Sequence, residues 1–128
     1  MTNAQEGRVA SFDDFVGLGL VDGADGQSIG FHCTQISDGS RTIAVGTPVT
    51  FAVVAGHLGR WEATRVRPGS WCCPVCGSVN DGRPRAYEIC TTCGWEDDPV
   101  QFEHLDATGA NRESLTAARR DWAATLAV

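Results

Sequence analysis

The sequence predicts a mainly β chain in two parts: a small five-stranded barrel over residues 1–67, then a cysteine-rich part over residues 68–128 that ends in one α-helix. Three observations carry this. Short β-rich runs punctuated by Gly and Asp turns fill the first part, five of the six cysteines crowd between Cys72 and Cys93, and a helical apolar period emerges only after Ser114. A length of 128 residues allows one ordinary domain or two very small ones.

The β-rich runs are Arg8 to Phe12, Leu18 to Val21, Ile29 to His32, Val49 to Ala55 and Arg60 to Val66. Asp22-Gly23, Asp25-Gly26, Asp38-Gly39 and Gly56-His57-Leu58-Gly59 stand between them as turns. Five strands in so short a span suggest a closed barrel. The character of the chain changes at Arg67-Pro68-Gly69-Ser70. Between Ser114 and Val128, Leu115, Ala118, Trp122 and Leu126 recur on one helical face, with Asn111 or Ser114 available as cap.

With 42% hydrophobic and 20% charged residues the composition is globular, which excludes a disordered acidic tail or a collagen-like rod. There are ten Arg, no Lys and 16 acidic residues, a net charge of −6. Residues 1–67 carry five Arg against seven acidic residues and residues 68–128 five against nine, so neither part is basic and the long-range field repels a phosphate backbone. A local patch could still bind nucleic acid. The longest apolar stretch, Val49 to Ala55, is far short of a membrane span. Residues 1–6 lack the basic and apolar regions of a secretory signal, so the expected compartment is the cytoplasm, where thiols stay reduced.

In that setting the cysteine cluster points to metal rather than disulfides. Cys73 with Cys76 and Cys90 with Cys93 show Cys-x-x-Cys spacing, each followed by a glycine that permits the left-handed turn on which paired sulfurs converge. Four thiolates in tetrahedral array suit one structural Zn(II), with iron as the other common occupant. Cys72 is expected to be a spare thiol and Cys33 a small apolar residue. The Cys-x-x-Cys-Gly pattern also resembles that of rubredoxin, which keeps an iron electron carrier as a competitor.

Residues 7–67 resemble the bacterial cold-shock domain, an OB-type barrel. Gly7-Arg8-Val9-Ala10-Ser11-Phe12 is similar to its first strand, Val16-Gly17-Leu18-Gly19-Leu20-Val21 to its first ribonucleoprotein motif, and Ile29-Gly30-Phe31-His32-Cys33 to its second. Gly39-Ser40-Arg41-Thr42-Ile43 resembles the following loop, and Gly59 to Val66 the last strand. The resemblance implies single-stranded nucleic-acid binding through stacked aromatics, but the seven positions concerned read Ser11, Leu18, Leu20, Gly30, His32, Cys33 and Ser40. Only the histidine is kept. Each lost platform removes about 1–3 kcal/mol of stacking. His32 then reads either as a histidine inherited with the fold or as a retained stacking group. Phe31 falls at an inward position, and Phe12 fits either side. Leu18 and Leu20, on one strand face, suggest that the old binding face is still covered, by the cysteine-rich part or by another protein. The candidate interaction face is therefore Phe12, Leu18, Leu20 and His32.

Residues 71–122 resemble the cysteine-rich CPCC family, on Cys73-Pro74-Val75-Cys76-Gly77, the run Tyr87 to Gln101 with Trp95-Glu96-Asp97-Asp98 inside it, Gly109-Ala110-Asn111, and Ser114-Leu115 to Ala118-Arg119. Val75 replaces the extra cysteine that names the family. The resemblance implies a zinc-ribbon-like fold and a metal, not a reaction. Glu96, Asp97 and Asp98 are expected to be solvated or to pair with Arg119 and Arg120, Trp95 and Trp122 to be packing residues of this part, and Trp71 to help fill a seam between the two parts. With no nucleophile–base pair, phosphate loop or open metal site, the expectation is a non-enzymatic zinc-containing binding or regulatory protein that acts through a protein partner and no membrane. The alternative is a nucleic-acid or ribonucleoprotein binder regulating transcription or translation.

Overall fold

The computed structural model describes residues 4–126. The barrel consists of β1 (Gln5–Asp13), β2 (Leu18–Gly23), β3 (Ser28–His32), β4 (Pro48–Ala55) and β5 (Trp61–Pro68), closed in the order β1-β2-β3-β5-β4. Neighbours are antiparallel except β3 and β5, which run parallel and meet at Gly30 and Glu62. This is the five-stranded barrel that the cold-shock resemblance implies. Closure matters physically because it removes the unpaired edges that a short sheet would otherwise present.

Alternation fills the interior. Val21, Ile29, Phe31, Val49, Phe51, Ala63 and Val66 are buried, and Ile36 joins them from the loop after β3. A bulge interrupts the alternation in β1: Val9 pairs with Val21 but Ser11 pairs with Leu20, so Ala10 is an extra residue. Val9 and Phe12, three apart, therefore both turn inward, and Phe12 stacks on Phe31 with ring centroids 5.8 Å apart. Phe12 belongs to the core side and not to the outer interaction face.

The second part contains the hairpin β6 (Ser70–Cys72) and β7 (Val79–Asp81), the short helix α1 (Pro99–Glu103) and the longer helix α2 (Leu115–Leu126). The last two residues of the expected helix lie outside the described residues. Ser114 Oγ accepts from Ala117 N at 3.1 Å, so Ser114 caps α2, while Asn111 works elsewhere. Among the described residues no helix is long and apolar enough to cross a membrane.

No free linker separates the two parts. Gly69, in the left-handed region with φ 63°, lies between β5 and β6 and donates its N–H to Pro48 O at 2.9 Å. Ser70, fully buried, places its Oγ 2.7 Å from Thr50 Oγ1 and 3.1 Å from Thr50 N, which donates to it. Glu6 of β1 accepts from Cys72 N at 2.8 Å and pairs with Arg85, whose guanidinium lies 4.0 Å from the Phe102 ring centroid. The cysteine-rich part thus docks along β1 and β4. Leu18 and Leu20, on the far side of β2, stay 53% and 41% exposed, so it does not cover them as the sequence suggested. The reason is the path: β6 continues β5 back beside β4, away from the β2–β3 face.

Candidate metal centre

The site is built from two turns with one hydrogen-bond pattern. In the first, Cys73 N donates to Ser78 O (2.9 Å) and Gly77 N to Cys73 O (2.9 Å); in the second, Cys90 N donates to Trp95 O (2.8 Å) and Gly94 N to Cys90 O (2.9 Å). Gly77 and Gly94 have φ of 79° and 82°, a conformation that costs a side-chain-bearing residue about 1–2 kcal/mol. The strand pair β6–β7 carries the first turn, and a single bridge between Ile89 and Glu96 carries the second.

These turns bring the Sγ atoms of Cys73, Cys76, Cys90 and Cys93 within 4.8 Å of one another. Cys73 lies 3.5 Å from Cys93 and Cys76 lies 3.6 Å from Cys90, Sγ to Sγ. Metal–sulfur bonds of about 2.3 Å in a tetrahedron require sulfurs about 3.8 Å apart, so the four fit a single ion at their centre. Cys73 and Cys90 are buried, and Cys76 and Cys93 are half-buried. Such an ion would cross-link the two turns.

Without a cation, burial disfavours the thiolate at two of the four positions. Burial pushes Cys73 up, and pushes Cys93 up to about 11. Cys90, despite its burial, is drawn below its ordinary value by hydrogen bonds from the Cys93 backbone, the Asn80 side chain, the Thr92 backbone and Cys76. Asn80, itself buried, ties the turns together: Nδ2 donates to Ser78 O at 3.2 Å, and Oδ1 accepts from Thr91 N at 3.1 Å. Cys72 stays outside the cluster, its thiol pushed up to about 11 by burial and the nearby Glu6 carboxylate. Cys33, half-buried, packs against the barrel core.

Around the cysteines the packing is aromatic, with Trp71, Trp95 and Leu115 buried against Cys73 and Cys90. The acidic run does not pair with α2. Asp97 is fully buried, accepts from Arg85 N at 2.6 Å and lies 3.2 Å from Arg85 Nη1. Burial pushes its carboxyl above the ordinary value in spite of that arginine. Asp98 is the N-cap of α1, accepting from Val100 N (2.8 Å) and Gln101 N (3.3 Å), with Pro99 at the first helical position. Glu96 donates its backbone N–H to Asn111 Oδ1 at 2.9 Å. Arg119 instead donates Nε to Pro74 O, and Arg120 lies 3.7 Å from its neighbour Asp121.

On the barrel, Leu18, Leu20 and His32 line one open groove of about 650 Å³ with Ser11 and Gly30. Five of the seven positions implied by the cold-shock resemblance meet there; Cys33 and Ser40 do not line it. His32 is exposed and its Nδ1 accepts from Thr34 N at 3.2 Å, which fixes the ring at the start of the turn after β3. Trp61, 65% exposed, lines the same groove beside Arg60. Alternation puts Trp61 in step with buried Ala63 and so hid it; as the first residue of β5 it sits at the rim, where an inward position opens to solvent.

No curated protein matches the chain. Among solved structures, it is similar to the Drosophila protein described as Unr CSD456, at 29% identity and a TM-score of 0.43, over 51% of this chain and 26% of that one. Residues 71–127, which hold all four clustered cysteines, match the model of the family described as Cysteine-rich CPCC.

Proposed function

We propose that this chain is a non-enzymatic binding or regulatory protein that takes a protein partner in the barrel groove and uses one zinc ion as a structural cross-link in its cysteine-rich part. The observation that carries the reading is the exposure of Leu18, Leu20 and Trp61 together in one groove that the other described residues leave uncovered. Exposed apolar side chains gathered in a concave surface mark an interaction site. Burying one of them against a partner contributes about 1.5–3 kcal/mol. Zinc suits four cysteine sulfurs and needs no redox chemistry; bound there, it supplies cohesion that a small core lacks. Iron would fit the same sulfurs and would colour the protein red.

Nucleic acid is the second reading, favoured by the His32 and Trp61 rings beside Arg60 in the groove. Against it stand Glu62 in the same wall and a net charge of −6. Affinity recovery of the full chain from cell extract, with and without nuclease, separates the two. The leading reading expects a nuclease-resistant protein partner that Leu18→Asp with Leu20→Asp no longer retains. Recovery that nuclease abolishes favours the second reading, and recovery indifferent to both treatments removes the groove from either.

A further inference from the structure

Helix α2 lies on the cysteine turns for only part of its length. Leu115 is fully buried, Ala118 and Trp122 are half-buried, and Thr125 and Leu126 are exposed. A wedge of about 550 Å³ lies between the outer half of the helix and the turn at Cys93–Glu96. The helix contributes Ala118, Asp121, Trp122 and Thr125, spaced i, i+3, i+4 and i+7 and so on one face. Val75 and Trp95 add apolar surface to the lining.

The polar lining is one-sided. Glu96, Glu113 and Asp121 stand against a single Arg112. Among the described residues neither the Glu96 nor the Glu113 carboxylate has an ion-pair partner, and Asp121 has only the 3.7 Å contact to exposed Arg120. The Trp95 indole N–H is buried and, among the described residues, has no acceptor.

We infer that this wedge is a docking site for an arginine or lysine side chain of a partner protein. The aliphatic stem of such a side chain lies along Val75, Ala118 and the indoles, as long cationic side chains do on apolar surface. Its head reaches the carboxylates and the Trp122 ring, which attracts a cation through its π-face. A purely apolar occupant would strip water from three carboxylates without compensation, and an acidic one would be repelled. Charge complementarity extends beyond the wedge, since residues 68–128 hold nine acidic residues against five arginines.

The test follows the tryptophan indole N–H resonances of the full, zinc-loaded chain while a blocked hexapeptide containing two arginines is added. The Trp95 and Trp122 resonances should move and Trp61 should not. The variant Glu113→Gln with Asp121→Asn changes two exposed carboxylates and should bind about tenfold more weakly. A peptide with glutamate in place of arginine should leave both resonances still. The inference is overturned if the arginine peptide moves neither resonance, if the double variant binds it equally well with zinc content unchanged, or if the glutamate peptide binds as tightly.

Discussion

The barrel and the cysteine-rich part are of similar length but hold together by different means. The barrel buries nine apolar residues in one cluster, whereas the cysteine-rich cluster has five, two of which are cysteines of the metal site. At about 1.5–3 kcal/mol for each large apolar side chain, the first set can drive folding and the second cannot match it. What replaces the missing apolar burial is polar and ionic: buried Asn80, Asp97, Asp98 and Gln101, and the four sulfurs. A hydrophobic core tolerates local error, while a polar one fails when a single partner is lost.

That contrast breaks most visibly at the metal. Elemental analysis should return about one zinc per chain, and either strong chelation or Cys90→Ser should unfold the cysteine-rich part, a loss of many kcal/mol because binding and folding are one equilibrium there. Amide exchange should show the barrel still folded. A metal-free protein with intact protection across residues 73–97 would end the argument.

The next largest effect belongs to Arg85. Its removal leaves Asp97 buried without its cation, so Arg85→Met should cost about 3 kcal/mol in denaturant unfolding. Most of that loss should return in Arg85→Met with Asp97→Asn, since the second change removes the stranded charge. Gln101→Leu should cost about 2–3 kcal/mol, for it strands the N–H of Asn111 and the carbonyls of Ala107 and Glu113, to which Gln101 Nε2 donates at 3.0 and 2.8 Å.

Acid should act more gently. Hydrogen bonds from the backbone of Ala110, then Val100 and Gln101, hold the Asp98 carboxyl below its ordinary value of 3.8. A depressed carboxyl contributes stability that is fully present above the unfolded value and lost as pH falls through the lower, folded one. Below pH 3.8, therefore, amide exchange around Ala110 and α1 should quicken in the wild type, and Asp98→Asn should lack that dependence. The smallest effect on stability is expected at the groove: Leu18→Asp or Leu20→Asp should shift unfolding by no more than about 0.5 kcal/mol, because both side chains already face water. A large loss in both parts would mean that the groove is covered after all.

The barrel was legible because its strands obey period two and its turns carry Gly after Asp; the ends of the five runs differ from the observed strands by a few residues at most. The bulge at Ala10 was not, since an extra residue leaves no mark on composition, and it is what turns Phe12, which fitted either side, toward the core. The four cysteines were legible from spacing alone. Asn80, Arg85 and Asp97 were not, because each matters through a partner 11, 79 or 12 residues away, a distance that no local pattern encodes. The Trp-Glu-Asp-Asp run looked like a charged surface, yet two of its carboxylates are buried and serve the backbone and an arginine.

Glu6 also has a consequence for the order in which a growing chain is assembled. Its carboxylate joins β1 to Cys72 N and Arg85, across 66 and 79 residues. All five barrel strands have been made once Pro68 is added, at which point Glu6 has neither partner. Arg85 arrives 17 residues later, about 1–3 s at ordinary rates of synthesis. During that interval the barrel can close on its own apolar core while the surface that receives the cysteine-rich part stands open, a ready-made template waiting for the segment that completes it.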